Sequence, residues 1–266
     1  MLGRDTMTYL YYPGCTLKTK AKQLNEYAQK SLLALGIDFK EMDEWQCCGA
    51  VYPQTKDEIA TRLAAIRTLE EAEREQMDLL TLCSACFQVI KRANHDITAD
   101  ANFRQKANNY SQFANPYNGA AKVIHYLEML RDDIGFAELA KRVVKPLSGQ
   151  KIGAYYGCLL LRPGNVMQFD NPENPSIMEE FIKAIGAEPI IYAYRNECCG
   201  SYAALDDKDL VQGCCQNILA SSTNKGADAL ITACPLCLYN LTQNNSATSL
   251  QVYYFTELLA EALGVK

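Results

Sequence analysis

Several things missing from this 266-residue sequence narrow its chemistry before anything present is considered. There is no surplus of positive charge: 26 basic residues stand against 31 acidic ones, a net charge of −5. No basic stripe forms on that balance, so a phosphate-tracking nucleic-acid surface is not expected. No apolar run approaches the roughly 18 residues that a spanning helix needs. Lipidation signals are absent, and the opening MLGRDTMTYL has no apolar h-region. A direct membrane span and a secreted, disulfide-stapled fold are therefore not expected, and a reducing, cytoplasmic setting is. The chain also lacks a flavin- or nucleotide-binding fingerprint and the CxxCxxCxxxCP run of ferredoxins. Histidine and tryptophan are scarce, with two and one copies.

Against these absences stand twelve cysteines. At 48% hydrophobic and 21% charged residues, the chain has the apolar content for one large domain or two smaller ones. It does not need disulfides to fold, so thiols that bind something explain the cysteines better.

Their order repeats. Tyr11-Tyr12-Pro13-Gly14-Cys15 recurs as Tyr155-Tyr156-Gly157-Cys158, Cys47-Cys48-Gly49 as Cys198-Cys199-Gly200, and Cys83-Ser84-Ala85-Cys86 as Cys234-Pro235-Leu236-Cys237. The gap from vicinal pair to CxxC pair is 34 residues in both copies, while the gap from first cysteine to vicinal pair is 31 in one and 39 in the other. Two homologous halves, 1–149 and 150–266, account for this, with the extra residues absorbed by the Pro/Asn-rich stretch 162–175.

Periodicity predicts an α/β fold: two Rossmann-like halves related by internal duplication, each with a short, mainly parallel sheet. In the first half the predicted strands are 8–12, 37–42, 79–82 and 121–124, and the predicted helices 21–35, 56–76 and 125–132. In the second, strands 151–156, 189–194, 229–232 and 250–254 alternate with helices 176–185, 206–224 and 256–263. The polar stretch 98–119 reads as an insertion in the first half. Cys15, Cys83, Cys158 and Cys234 each fall just after a predicted strand. That is the sheet edge where ligands collect.

Five cysteines per half can be packed thiols, a redox dithiol, a zinc site or an iron–sulfur site. Zinc takes four ligands, and adjacent side chains reach one small ion only with strain. Neighbouring thiolates serve different metal atoms of a larger centre more easily, which favours iron–sulfur ligation.

The duplicated Cys, Cys-Cys-Gly, Cys-x-x-Cys order covers nearly the whole chain. With the strings YYPGC, YYGCLLLRP, ECCG and CPLCLYNL, it resembles the tandem CCG domains of the B subunit of heterodisulfide reductase. The resemblance implies two non-cubane 4Fe-4S clusters, one on Cys15, Cys47, Cys48, Cys83 and Cys86, the other on Cys158, Cys198, Cys199, Cys234 and Cys237. It also implies two-electron reduction of a disulfide, CoM-S-S-CoB or an analogue, to two thiols. The implied partners are a ferredoxin-like C subunit that donates electrons and a flavin-containing A subunit, with a hydrogenase or formate dehydrogenase beyond. Two other readings stand beside it: a CCG-domain electron-relay subunit of a lactate- or glycolate-oxidising system, and a zinc-binding scaffold that docks other proteins.

Other residues have candidate roles. Arg162, after Cys158, is the preferred contact for an anionic substrate group, ahead of Lys18, Lys20 and Arg195. His95 and His125 are candidate proton donors to departing thiolates, although structural roles suit them better, and His125 stands where the second half has Phe255. Cys214 and Cys215 have no counterparts and read as packed thiols. Tyr11, Tyr12, Tyr52, Tyr155, Tyr156, Tyr192 and Tyr194 crowd the cysteine motifs, either as strand packing or as hydroxyls lining a cavity or bonding cluster sulfides. Pro13 and Pro235 read as turn formers, and Gly14, Gly49, Gly157 and Gly200 as positions of special backbone conformation.

Overall fold

The strands that begin each half, β1 (Thr8–Tyr12) and β5 (Lys151–Tyr155), bury four of their five residues. Such near-continuous burial belongs to parallel strands covered by helices on both faces. A computed structural model describes residues 8–50, 59–245 and 248–266 and shows this arrangement twice. In the first half β2 (Asp38–Glu41), β3 (Asp78–Thr81) and β4 (Val123–His125) join β1 in the order β2-β1-β3-β4. In the second, β6 (Glu188–Ile190), β7 (Ala229–Thr232) and β8 (Gln251–Tyr254) join β5 in the order β6-β5-β7-β8. Every pairing is parallel, and the registers match: Tyr12 lies opposite Thr81 as Tyr155 lies opposite Thr232. The predicted α/β duplication is the observed fold.

In this order the chain leaves β1 toward one side of the sheet and β3 toward the other. The crevice at their carboxyl ends is the switch point where α/β sheets bind ligands. Cys15 and Cys83 follow those two strands, and Cys158 and Cys234 follow β5 and β7.

The halves share one apolar core. Helix Lys22–Ala34 packs on Phe255–Ala262 of the other half, and the short helices Tyr126–Met129 and Phe136–Arg142 pack on Ile177–Ala184. Leu32, Leu80, Phe181 and Phe255, drawn from both halves, are fully buried in it. A second cluster, including Val211, Ile218, Leu230 and Leu241, lies under the second sheet.

The structure departs from the predicted elements in several places. The strand expected over 189–194 ends at Ile190, because Ile191 is exposed and Tyr194 takes a left-handed φ of 66° that a strand excludes. The insertion 98–119 contains a helix, Ala101–Ser111, capped by the Asp100 carboxylate, which accepts from the Asn102 and Phe103 N–H groups. Two helices begin at the CxxC pairs, Ser84–Ala99 and Pro235–Gln243. The helix expected over 125–132 is Tyr126–Met129 running into a π-helical turn, Leu130–Ile134. Of the helix expected over 56–76, Leu63–Glu75 is helical, and 56–58 lie outside the described residues.

The seam between the halves runs along the CxxC loops. Ser84 donates from N–H (3.1 Å) and Oγ (2.7 Å) to the Ala233 carbonyl. Tyr254 Oη donates to the Ala233 and Leu82 carbonyls at 3.0 and 2.7 Å, and His125 Nε2 lies 3.2 Å from the Leu82 carbonyl. The counterpart of His125 is therefore Tyr254, not Phe255. Both end an equivalent strand, opposite Thr81 and Thr232, and both give their N–H to a glutamate three residues on, Glu128 or Glu257, at 2.8 Å.

His125 is fully buried and neutral. Nε2–H donates to Leu82 while Nδ1 accepts from Leu127 N–H at 3.2 Å, and burial pushes its pKa down to about 3. It is thus a helix cap rather than a proton donor. The unfolded chain binds a proton at this residue below about pH 6.5 and the folded chain does not until about pH 3. Its contribution to stability is therefore present above pH 6.5 and lost on acidification, by about 1.4 kcal/mol per pH unit at most. His125→Asn keeps a capping acceptor but cannot titrate. Thermal midpoints measured from pH 6.5 to 4.5 are expected to fall less steeply in this variant than in the parent; equal slopes would show that His125 does not carry the effect.

Candidate functional site

The ten duplicated cysteines meet at the carboxyl edges of the two sheets. Cys47 Sγ lies 3.5 Å from Cys15 Sγ, Cys48 Sγ 3.4 Å from Cys86 Sγ, and Cys199 Sγ 3.5 Å from Cys237 Sγ. Mutual pKa shifts further couple Cys47 to Cys48, Cys83 to Cys86, Cys158 to Cys198, Cys198 to Cys199 and Cys234 to Cys237. Across the seam, Cys83 and Cys234 adjoin the Ser84 N–H to Ala233 carbonyl bond of 3.1 Å, and the two thiols shift one another's pKa. The ten thiols form one unbroken line, five from each half. Six are buried (Cys48, Cys83, Cys86, Cys199, Cys234 and Cys237); Cys15, Cys47 and Cys158 are half-buried, and Cys198 is exposed. The line is closed in at the seam and opens to solvent at both ends.

Local sequence explains this convergence. Each CxxC sits where a strand passes into a helix: Cys83 and Cys234 are the N-cap residues, and Cys86 and Cys237 lie in the first turn. There unpaired N–H groups and the helix dipole favour thiolate, but the hydrogen bonds that Cys86 shares with Cys48 and Cys83, and Cys237 with Cys199 and Cys234, hold those two thiols well above the ordinary range. Pro235, at the first helical position, suits that turn. Each vicinal pair is tied to its sheet by an equivalent tyrosine. Tyr12 Oη donates to the Gln46 carbonyl, just before Cys47, and Tyr155 Oη donates to the Glu197 carbonyl, just before Cys198. Gly14 and Gly157 take φ of 71° and 63°, and a Cβ on them would stand 3.1 Å from Cys86 Sγ and 3.4 Å from Cys237 Sγ. Glycine thus allows the backbone to approach the sulfurs closely. Gly49 and Gly200 also have positive φ.

Thiols in contact share protons unevenly. Hydrogen bonds from Cys47 and then Cys86 pull Cys48 down to about 4. Those from Cys198 and then Cys237 pull Cys199 down to about 2. The donors Cys47 and Cys198 are pushed up. Ten thiolates at these spacings repel one another strongly, so full deprotonation requires positive charge among them. Among the described residues, no three or more His, Cys, Asp or Glu side chains are gathered as around a single ion. A set of soft donors, paired along a line with glycine backbone against the sulfurs, suits a multi-metal iron–sulfur centre better than tetrahedral zinc.

The remaining candidates fall outside this line. Arg162 Nη1 donates to the Asn196 carbonyl at 2.8 Å and Nη2 reaches Glu173 at 3.4 Å, bracing the loop before Cys198, with 38% of its side chain exposed. Arg195 is buried in an ion pair with Glu179, Lys18 pairs with Glu41, and Lys20 and His95 face solvent. Tyr11 donates to Asn25 and Tyr156 to Glu179, so these hydroxyls, like those of Tyr12 and Tyr155, are spent on protein oxygens. Tyr192 Oη is buried with no hydrogen-bond partner, Tyr194 is exposed, and Tyr52 lies outside the described residues. Cys215 is a packed thiol, bonded to the Cys199 carbonyl at 3.5 Å and pushed up to about 12 by burial; Cys214 is half-buried beside it.

Two residues near the thiols carry no motif signal. Tyr202 stands between the two sets: burial, and then Cys234, Cys48, Cys83 and Cys86, push its hydroxyl upward. Asn240 donates from Nδ2 to Cys199 Sγ at 3.5 Å. Comparing the halves position by position would have exposed Asn240, because its counterpart is Val89.

Residues 9–91 and 152–242 match the cysteine-rich CCG domain, which places both duplicated cysteine sets inside matched segments. The chain is 30% identical to the 8-methylmenaquinol:fumarate reductase membrane anchor subunit of Wolinella succinogenes, over 97% of this chain and 92% of that protein. It is 26% identical to the B subunit of the ferredoxin/F420H2-dependent CoB-CoM heterodisulfide reductase of Methanosarcina acetivorans, over 95% of this chain and 88% of that one. Among solved structures, a hypothetical protein from Helicobacter pylori superimposes with a TM-score of 0.76 at 11% identity, covering 99% of this chain. The chain spans 50% of that protein's length, and the likeness concerns the fold alone. No helix among the described residues is long and apolar enough to cross a membrane. With two cysteine-rich CCG domains and near full-length similarity to such proteins, the chain belongs to the family that contains the B subunits of heterodisulfide reductases, a family of oxidoreductases.

Proposed function

We propose that this chain is the iron–sulfur catalytic subunit of a heterodisulfide-reductase-type complex, reducing CoM-S-S-CoB or an analogous disulfide to two thiols. The observation that carries the reading is the seam itself: Ser84 bonds the Ala233 carbonyl through N–H and Oγ, at 3.1 and 2.7 Å, which sets Cys83 beside Cys234 and brings the two five-cysteine sets together. In this reading the CCG domains are 1–149 and 150–266. Cys15, Cys47, Cys48, Cys83 and Cys86 hold one non-cubane 4Fe-4S cluster, and Cys158, Cys198, Cys199, Cys234 and Cys237 the other. When bound, the pair supplies single-electron transfer at two neighbouring centres, which suits the two electrons that an S–S bond takes up on cleavage.

The chain's own residues do the rest. The buried CxxC turns, closed over by Tyr254 and Ser84, keep water from the seam. Tyr12 and Tyr155 hold the vicinal pairs against their sheets. Arg162, braced but partly exposed, presents a cation to an anionic substrate group. A ferredoxin-like C subunit and a flavin-containing A subunit would supply electrons, in the cytoplasm, since this chain carries neither a flavin fingerprint nor a ferredoxin motif.

Metal and sulfide analysis of anaerobically purified protein, followed by assay of CoM-S-S-CoB reduction with reduced viologen, tests the reading. Iron and labile sulfide near four of each per half, with thiol release, are expected. Zinc without sulfide would instead indicate a scaffold. The 30% identity to a quinol:fumarate reductase subunit favours a second reading, in which the same centres relay electrons from a quinol. Oxidation of a reduced menaquinone analogue without any disulfide reduction would select it.

A further inference from the structure

The two cysteine sets are duplicated, but their surroundings are not. Each CxxC opens a helix, and the sixth residue of that helix faces the vicinal pair's side of the site in the second half. There Asn240, 1% exposed, lies on helix Pro235–Gln243; the matching residue of helix Ser84–Ala99 is Val89. Asn240 Nδ2 reaches Cys199 Sγ at 3.5 Å and the Ser201 carbonyl at 3.2 Å. Its Oδ1 is buried with no hydrogen-bond partner.

That pattern fixes the amide's orientation. The Ser201 carbonyl only accepts, so a flipped side chain would set oxygen against oxygen and against a thiolate sulfur. As placed, the two N–H bonds of Nδ2 serve one carbonyl and one sulfur. Leaving Oδ1 unsatisfied in the interior is costly, and the side chain bears that cost to keep a donor on Cys199. Val89 has no donor to offer Cys48. Thr16 Oγ1 lies 3.8 Å from Cys15 Sγ in the first half, but Thr16 is exposed, where water competes for the same bond.

A hydrogen bond to a ligand sulfur draws off negative charge and therefore stabilises the reduced, more negative state of the centre it holds. We infer that Asn240 raises the reduction potential of the second-half centre and so makes the two duplicated centres electronically unequal. Asn240 acts through Cys199 and is a positioning residue, not a catalytic one. The inference rests on the iron–sulfur reading above and deepens it.

The test is an EPR-monitored redox titration of the parent and of Asn240→Val, which installs the first half's residue, with iron and sulfide counted in each. The variant's second centre is expected to become harder to reduce by about tenfold in its equilibrium constant, 59 mV for one electron, while the other centre does not move. Pulsed EPR should show a weakly coupled side-chain nitrogen at the second centre of the parent only. An unmoved second potential with iron and sulfide intact would overturn the inference alone. Parent protein without sulfide would overturn the iron–sulfur reading instead. If Asn240→Val loses a centre, Asn240→Leu, which keeps the branching and heavy-atom count of Asn, is titrated; loss of the centre there as well would make Asn240 a folding determinant and overturn the inference too.

Discussion

Replacing Cys199 by serine is expected to halve the iron and labile sulfide of the purified protein and to erase one of its two EPR signals. Cys199 is 2% exposed, contacts Cys198 and Cys237, and is the thiol most strongly pulled toward thiolate in its half. Serine keeps the volume but offers an alkoxide that is not populated near neutral pH, so under the proposed ligand assignment one buried ligand is lost without a cavity forming. Cys48→Ser should erase the other signal, because Cys48 occupies the same place between Cys47 and Cys86. Each half draws its five thiols from its own sheet, so the untouched set should keep its iron. Disulfide reduction needs both centres under the proposed function, and should fall to background in either variant. Cys214→Ser, outside the line of ten, should retain full iron, sulfide and activity. Retention of both signals in Cys48→Ser or Cys199→Ser would sink the ligand assignment.

The placement of those thiols was legible in the sequence because two simple patterns coincide. Buried parallel strands read as short apolar runs, and Tyr12, Leu82, Tyr155 and Ala233 each bring such a run up to a cysteine motif. The duplication then doubled every weak signal. The meeting of the Cys83 and Cys234 loops was not legible, since it follows from how the halves pack, through Tyr254 and Ser84 on the neighbouring carbonyls. Side-chain period carries no information about such long-range seams. The helix Ala101–Ser111 was hidden by polar composition: Phe103 and Ala107 are its buried residues, too sparse to show an apolar stripe. Strand β6 was overdrawn because Ile191 and Tyr192 favour strands intrinsically, whereas the turn at Tyr194, set by tertiary context, ends the pairing.

Arg195→Met is expected to destabilise the folded chain by about 3–5 kcal/mol, because it strands a buried carboxylate. Arg195 and Glu179 are 6% and 4% exposed, and their ion pair is 2.6 Å long. Tyr156 Oη also donates to Glu179, while Arg195 Nη2 donates to Asn174 Oδ1 at 2.5 Å. Burial already raises the Glu179 carboxyl above its ordinary range, with the Tyr156 hydroxyl and the Arg195 guanidinium pulling it back. Without the guanidinium, the carboxylate must take up a proton or stay charged with only the Tyr156 hydroxyl and its own backbone N–H as donors. For a chain of this size the loss corresponds to a fall in Tm on the order of 10 °C. The double variant Arg195→Met with Glu179→Gln removes both charges and should recover most of that fall. The Arg195 carbonyl accepts from Tyr156 N–H at 2.8 Å and from Gly157 N–H at 3.4 Å, immediately before Cys158. The single variant should therefore also lose iron from the second set before the first on heating. Thermal unfolding of parent, single and double variants checks this: a single variant within about 1 kcal/mol of the parent, or a double variant no more stable than the single, would show that the pair is not what holds the Cys158 turn.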